Sequence, residues 1–270
     1  MCMGISLNRL LAAGAAALLS VGFGCGITQT AQAGIIVSDT FTAANGTAIN
    51  GRTPSPVDLP GTTWVQANGA WTNDIENNLA NLGPDEGDAI SIGTVASTYN
   101  VTSYSISDSF NLGTDTMNTY QLRGTWLGFF SSGTAEDTTF TGLVVNPNGN
   151  IRLIGNNSNV IGSPIAISGF NAAATHTLSY SVDLTTGTIS NILLDGSAVS
   201  LTAPNGTFTL ADTAYAGFHN SSNSASSFGS VGNFVLSSPQ VVPEPASWTL
   251  VLGGLGMLLI GRKRATGRTA

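Results

Sequence analysis

The sequence predicts an all-β protein: a two-sheet antiparallel sandwich, flanked by an N-terminal signal helix and a C-terminal membrane helix. Three observations predict it. Through residues 34–238 apolar side chains recur at every second position, the period of strands with one buried and one wet face. Turn residues separate the apolar runs. No stretch of this region carries a 3.6-residue apolar period, whereas a continuous apolar run lies near each terminus.

Residues 1–33 read as a signal peptide. Arg9 precedes an apolar run from Leu10 to Val21, and Ala31-Gln32-Ala33 is the small-x-small pattern that signal peptidase accepts. Cleavage after Ala33 removes Cys2 and Cys25, the only cysteines, so the mature chain has no thiol and no disulfide.

Residues 34–238 form the sandwich domain. Tyr104, Ile106, Phe110 and Leu112 share one face of a strand, interrupted by Asp108; a carboxylate there predicts a bulge or an edge position. Tyr120, Leu122, Trp126 and Phe130 take one face of the next strand, which makes Trp126 a core residue. Gln121, Arg123 and Thr125 take the polar one. Asn148-Gly149 between Leu143-Val144-Val145 and Ile151–Ile154 predicts a type I′ hairpin turn. Leu178, Tyr180, Val182 and Leu184 alternate with polar residues. Thr185-Thr186-Gly187 then turns the chain into Thr188–Leu194, and Asp195-Gly196 ends that strand. Val231–Leu236 closes the domain. About a dozen short strands are expected in this length, in two sheets.

Residues 239–270 form a tail in three parts: Pro243-Glu244-Pro245, an apolar helix over 246–261, and a basic end over 262–270 that opens with Arg262, Lys263 and Arg264. A membrane span takes about 20 residues, so the run is short. The basic cluster decides for a membrane helix, because it marks a cytoplasmic stop.

Charge excludes one class of partner. Between Gly34 and Val242 three basic residues (Arg52, Arg123, Arg152) face fourteen acidic ones, a balance of −11 with no lysine. Such a surface repels nucleic-acid phosphates.

The tail resembles a PEP-CTERM sorting signal. That resemblance implies an exosortase-type transpeptidase that cleaves near Pro243, Glu244 and Pro245. It also implies a Gram-negative bacterium, transient anchoring in the inner membrane, and delivery to the cell surface or extracellular matrix. Two further segments, Ser38-Asp39-Thr40-Phe41 through Gly51-Arg52 to Trp64, and His176–Tyr180 through Gly187 to Asp195-Gly196, resemble the concanavalin A-like lectin/glucanase jelly roll and its laminin-G-like relatives. This second resemblance implies two curved sheets of about six strands each, a glycan on one face and a calcium ion at a sheet rim.

The glucanase branch of that superfamily carries Glu-x-Asp-x-x-Glu. Here Glu86-Gly87-Asp88 has Ser91 at the third acidic position and Asp74-Ile75-Glu76 has Leu79; neighbouring Pro, Gly and Asn place both pairs in loops. Retaining hydrolysis needs two opposed carboxyls, so no catalytic residue is expected. There is no Gly-x-Ser-x-Gly elbow, and His176, in phase with Leu178, reads as a strand-end core residue. Asp85, Glu86 and Asp88 are the calcium candidates, since hard cations take carboxylate oxygens; no other cofactor is expected. Gln121 and Arg123 are the candidate glycan contacts. The expected function is that of an exported, exosortase-processed surface or matrix protein, structural or adhesive, with weak carbohydrate binding and extracellular polysaccharide as its partner. The alternative is a degenerate glycoside hydrolase or lyase acting on that polysaccharide.

Overall fold

The computed structural model describes residues 34–54, 62–66, 73–83, 86–93, 101–113, 123–133, 137–201, 206–221 and 229–239. The signal peptide, the sorting motif, the apolar helix and the basic end lie outside them, as do Asp85, Tyr120, Gln121 and Leu122. Among the described residues no helix is long and apolar enough to cross a membrane.

Among the described residues sixteen strands follow in order. They are β1 (Gly34–Asp39), β2 (Thr47–Ala48), β3 (Trp64–Gln66), β4 (Asp74–Glu76), β5 (Leu79–Leu82), β6 (Glu86–Ser91), β7 (Ser103–Asn111) and β8 (Gly124–Phe130). After a 3-10 turn at Asp137–Thr139 come β9 (Phe140–Val145), β10 (Asn150–Gly155), β11 (Asn159–Ala166), β12 (His176–Asp183), β13 (Thr188–Leu194), β14 (Ser197–Ala198), β15 (Tyr215–Ser221) and β16 (Gly229–Ser238). A nine-stranded sheet runs β14-β13-β12-β7-β16-β5-β4-β2, with β1 on the last residues of β16. A seven-stranded sheet runs β11-β10-β9-β8-β15-β6-β3. The sandwich is the predicted one, with more and shorter strands than a dozen.

Alternation builds the core. From the nine-stranded sheet Tyr104, Ile106, Phe110, Leu178, Tyr180, Val182, Phe234 and Leu236 point inward. Trp64, Ile90, Leu127, Phe129, Leu143, Val145, Ala216 and Phe218 meet them from the seven-stranded sheet. Trp64 is the hub: its ring lies 5.2 Å from Phe218, 5.2 Å from Phe234 and 5.8 Å from Phe41. Each such buried side chain contributes roughly 1.5–3 kcal/mol.

Four local readings are corrected. The turn after β9 is not type I′: Gly149 has φ +78° but Asn148 is not in the left-handed region. Pro147 supplies the reason, because its ring holds φ negative. The turn is closed by Gly149 N–H donating to Asn146 O (2.8 Å) and Asn146 N–H to Asn150 O (2.9 Å), a type I turn with a glycine bulge. Positive φ at two successive residues occurs instead at Asn77 (55°) and Asn78 (61°), at Asn157 (61°) and Ser158 (56°), and at Asp195 (51°) and Gly196 (75°). Asp74–Glu76 and Glu86–Asp88 are strands, not loops. Asp108 lies on an interior strand between β12 and β16, not at an edge; the bulge is real but belongs to the partner. Between Gly232↔Ser109 and Val235↔Ser107 strand β16 carries one extra residue, and Asn233 there has φ +47°. Finally, the sidedness of β8 is reversed. Thr125, expected on a wet face, is fully buried and in phase with the core residues Leu127 and Phe129, whereas Trp126 and Phe130 point away from that core.

Trp126 and Phe130 are nonetheless buried. With Ala89, Phe140, Val144 and Ile154 they form a second apolar cluster on the outer side of the seven-stranded sheet. Phe140 lies against Gly128 and Gly142, so close that a Cβ on Gly142 would fall 2.7 Å from its ring.

Candidate functional site

The family-like opening segment assembles one polar network. Asp39, at the end of β1, accepts from Phe41 N–H (2.8 Å) and Trp64 Nε1–H (2.8 Å), and pairs with the Arg52 guanidinium. The carboxyl is 1% exposed and three donors reach it, as a buried charge requires. This network fixes the core indole and the 40–54 connection. Its role is structural.

A second polar group gathers where β3 ends and β6 and β8 begin. In β6 Glu86, Asp88 and Ile90 share the inward side, so both acids point into the sandwich, 1% and 0% exposed. Gln66 Nε2–H donates to Glu86 (3.2 Å) and Asn73 Nδ2–H to Asp88 (2.7 Å). Asn73 Oδ1 accepts from Gly83 N–H (3.0 Å). The other oxygen of Asp88 finds no partner among the described residues. Burial, with the Glu86 charge adding to it and the Asn73 bond opposing, pushes the Asp88 carboxyl up to about 7. Glu86 lies in register with Asn220, and Asn220 with Thr125, so one polar row crosses three strands.

Arg123 stands half-buried immediately before β8, beside that row. Its carbonyl accepts from the Asn146 side chain. It is the ligand candidate that the structure describes; Gln121 lies outside. Of the calcium candidates, Asp85 also lies outside. Glu86 and Asp88 are both buried, and each carboxyl accepts one amide N–H, Glu86 from Gln66 and Asp88 from Asn73. Among the described residues no cluster of three acidic, histidine or cysteine side chains forms. Asp74 and Glu76 are half-exposed on β4, on either side of inward Ile75.

His176 begins β12 and is buried, as a strand-end residue. Nδ1 lies 2.7 Å from Asp195 Oδ2 and Nε2 2.8 Å from Asn171 O, and Phe170 stacks on the ring at 4.2 Å. The ring ties the 167–175 crossover to the β13–β14 turn.

Sequence reasoning missed the Gln66–Glu86 and Asn73–Asp88 pairs. A signal was present: acids two apart, continued in phase by Ile90, describe an inward strand face.

No protein-family model matches the chain, and no curated protein does. Solved structures do. The carbohydrate recognition domain of Emp47p is 12% identical, over 79% of this chain and 100% of that one, with a TM-score of 0.47. Peanut lectin with a 9mer peptide is 10% identical over 77% and 97%, TM-score 0.48. Lectin II from Ulex europaeus is 12% identical over 68% and 94%, TM-score 0.44. At these values the likeness says nothing of what this chain binds; the sandwich is read from its own sheets.

Proposed function

We propose that this chain is an exported, exosortase-processed protein of the cell surface or extracellular matrix. It is structural and adhesive rather than enzymatic, and holds extracellular polysaccharide weakly. The observation that carries the reading is the three-part tail: Pro243-Glu244-Pro245, the apolar run and the Arg262-Lys263-Arg264 stop. Opposite it in the sequence stands the Ala31-Gln32-Ala33 cleavage pattern. The inward burial of Glu86 and Asp88 supports a role without hydrolysis. Arg123, beside the Glu86–Asn220–Thr125 row, is the proposed glycan contact, through hydrogen bonds from its guanidinium to sugar hydroxyls. No resident metal enters the reading.

Mass spectrometry of the protein from its producing cell tests the sorting. Ends at Gly34 and near Pro243–Pro245 are expected; an intact carboxyl end on soluble cytoplasmic protein would refute it. Retention on the producer's own polysaccharide tests the binding. Arg123→Ala is expected to weaken it several-fold and EDTA to leave it unchanged.

A further inference from the structure

The two cuts that shape this chain fall at one place in the fold. Signal-peptide removal after Ala33 starts the mature chain at Gly34, the first residue of β1. Gly34 stands in antiparallel register with Ser238, the last residue of β16. Directly opposite Cα atoms in such a pair lie about 4.5–5.5 Å apart. Pro239 is exposed and ends the strand, having no N–H to add to the ladder. Gln240, Val241 and Val242 alone separate it from Pro243. The new amino terminus therefore stands beside the stem of the sorting tail.

Amines are scarce in this chain. Lys263 is its one lysine, and the cut that removes the tail removes Lys263 too. A single primary amine remains, the α-amine of Gly34. An α-amine titrates near pH 8, against about 10.4 for a lysine, so about a tenth of it is neutral at pH 7. Glycine has no Cβ, so no side chain crowds the attacking nitrogen. A transpeptidase needs such a nucleophile, because the acyl group it has made must pass to an amine.

We propose that the Gly34 α-amine is the acceptor in the sorting reaction and that the chain is closed head to tail. The proposal rests on the exosortase reading and names the acceptor within it. The thiol of a cysteine transpeptidase attacks a carbonyl at Pro243–Pro245. The C–N bond there breaks, the thiol proton goes to the departing amine of the tail, and the upstream chain is held as a thioester. The neutral Gly34 nitrogen then attacks the thioester carbonyl. A C–N bond forms, the C–S bond breaks, and the proton shed by the nitrogen returns to the sulfur. One peptide bond replaces another, so no oxidant and no energy-rich co-reactant enters. The new loop runs from Pro239 to the junction and joins the antiparallel neighbours β16 and β1, as a hairpin connection does. Closure therefore keeps their register. An amine tethered this closely acts at an effective concentration on the order of millimolar, above that of the amine on a dilute second copy.

Protein released by the producing cell tests this through intact mass, amine labelling in denaturant and chymotryptic mapping. The expected product has the mass of one chain, lighter by one water than the linear form, and takes no amine label. The two ends that sorting creates, Gly34 and a residue at Pro243–Pro245, then occur in one peptide, running from Ser237 through the junction to Phe41. Linear chains cut at both sites, with the Gly34 amine labelled, overturn the proposal whatever their carboxyl end carries, and leave the sorting reading in place. The same junction peptide in a product with the mass of several chains overturns it in favour of Gly34 of a second copy. An uncut carboxyl end on soluble cytoplasmic protein overturns both readings.

Discussion

Trp126 and Ser107 occupy equivalent places, each on the outward side of a central strand, and share little else. Trp126 is fully buried against Phe140 (4.9 Å between rings) and His219 (5.0 Å). Ser107 is half-exposed in a field of hydroxyls. The nine-stranded sheet therefore has one dry side and one wet side. The central strands of the seven-stranded sheet are dry on both: every residue of β8 and β9 is buried. The difference teaches that a period of two identifies a strand without saying which face is inside. In β7 the polar alternates settle the matter. In β8 both sets are apolar or small, and the pattern reads equally well either way round.

The largest expected effect tests that second dry side. Trp126→Ala is predicted to lose about 3–5 kcal/mol of stability, the cost of emptying a packed aromatic site. Urea denaturation measures it. A loss below about 1 kcal/mol would put Trp126 in the same class as a surface residue and erase the contrast with Ser107.

The inner faces differ as well, in how each holds a buried carboxyl. Asp88, from the seven-stranded sheet, has the Asn73 amide. Asp108, from the nine-stranded sheet, has both oxygens without partners among the described residues, and burial raises it well above the usual range. Both titrate higher folded than unfolded, so the folded chain holds the extra proton. Their contribution is full below about pH 3.8 and is lost as pH rises, through about 7 for Asp88. Each group adds a slope of up to about 1.4 kcal/mol per pH unit. Asp183 and Asp195 are held low and act in the opposite sense, but near the surface, where screening shrinks their share. The urea midpoint is expected to fall between pH 4 and pH 8. Asp88→Asn should remove that group's part of the slope; a midpoint that rises with pH would contradict both assignments.

A smaller effect separates the two outer faces by sterics. A Cβ on Gly142 would fall 2.5 Å from Leu127 O and 2.7 Å from the Phe140 ring. The carbonyl belongs to the neighbouring strand and cannot swing away. Gly142→Ala is predicted to cost roughly 1–3 kcal/mol, visible as a lower melting temperature. Tolerance there would mean that Phe140 moves freely and that the second cluster is loose.

Much of this fold was legible in the residues. The strand around Tyr104–Leu112, the Thr185-Thr186-Gly187 turn and the closing strand are local patterns, and local patterns survive folding. The site was less legible, for physical reasons. Glu86-Gly87-Asp88 reads as a solvated loop, because two acids beside Pro and Gly fit water better than a core. The partners Gln66 and Asn73, brought in by β3 and the 73–83 hairpin, help make burial tolerable. The Asp39–Arg52–Trp64 network likewise joins residues 13 and 25 positions apart, a distance over which no periodicity speaks. Asp108 shows the intermediate case: the residue announced an irregularity, while the pairing decided which strand carries it.

The smallest effect is the sharpest test of the comparison. Ser107→Ala replaces an outward hydroxyl on the strand at the centre of the nine-stranded sheet. Among the described residues it has no hydroxyl pair like that of Ser105 with Ser181. The change is predicted to alter stability by less than about 0.5 kcal/mol, as substitutions away from buried features do. Ser105→Ala removes a hydroxyl pair and is predicted to cost slightly more, up to about 1 kcal/mol. If Ser107→Ala cost as much as Gly142→Ala, that outward side would have to be packed rather than wet, and the two sheets would no longer differ in kind. Measured side by side in urea, the two alanines ask the same question of opposite surfaces: whether a methyl group there meets water or protein.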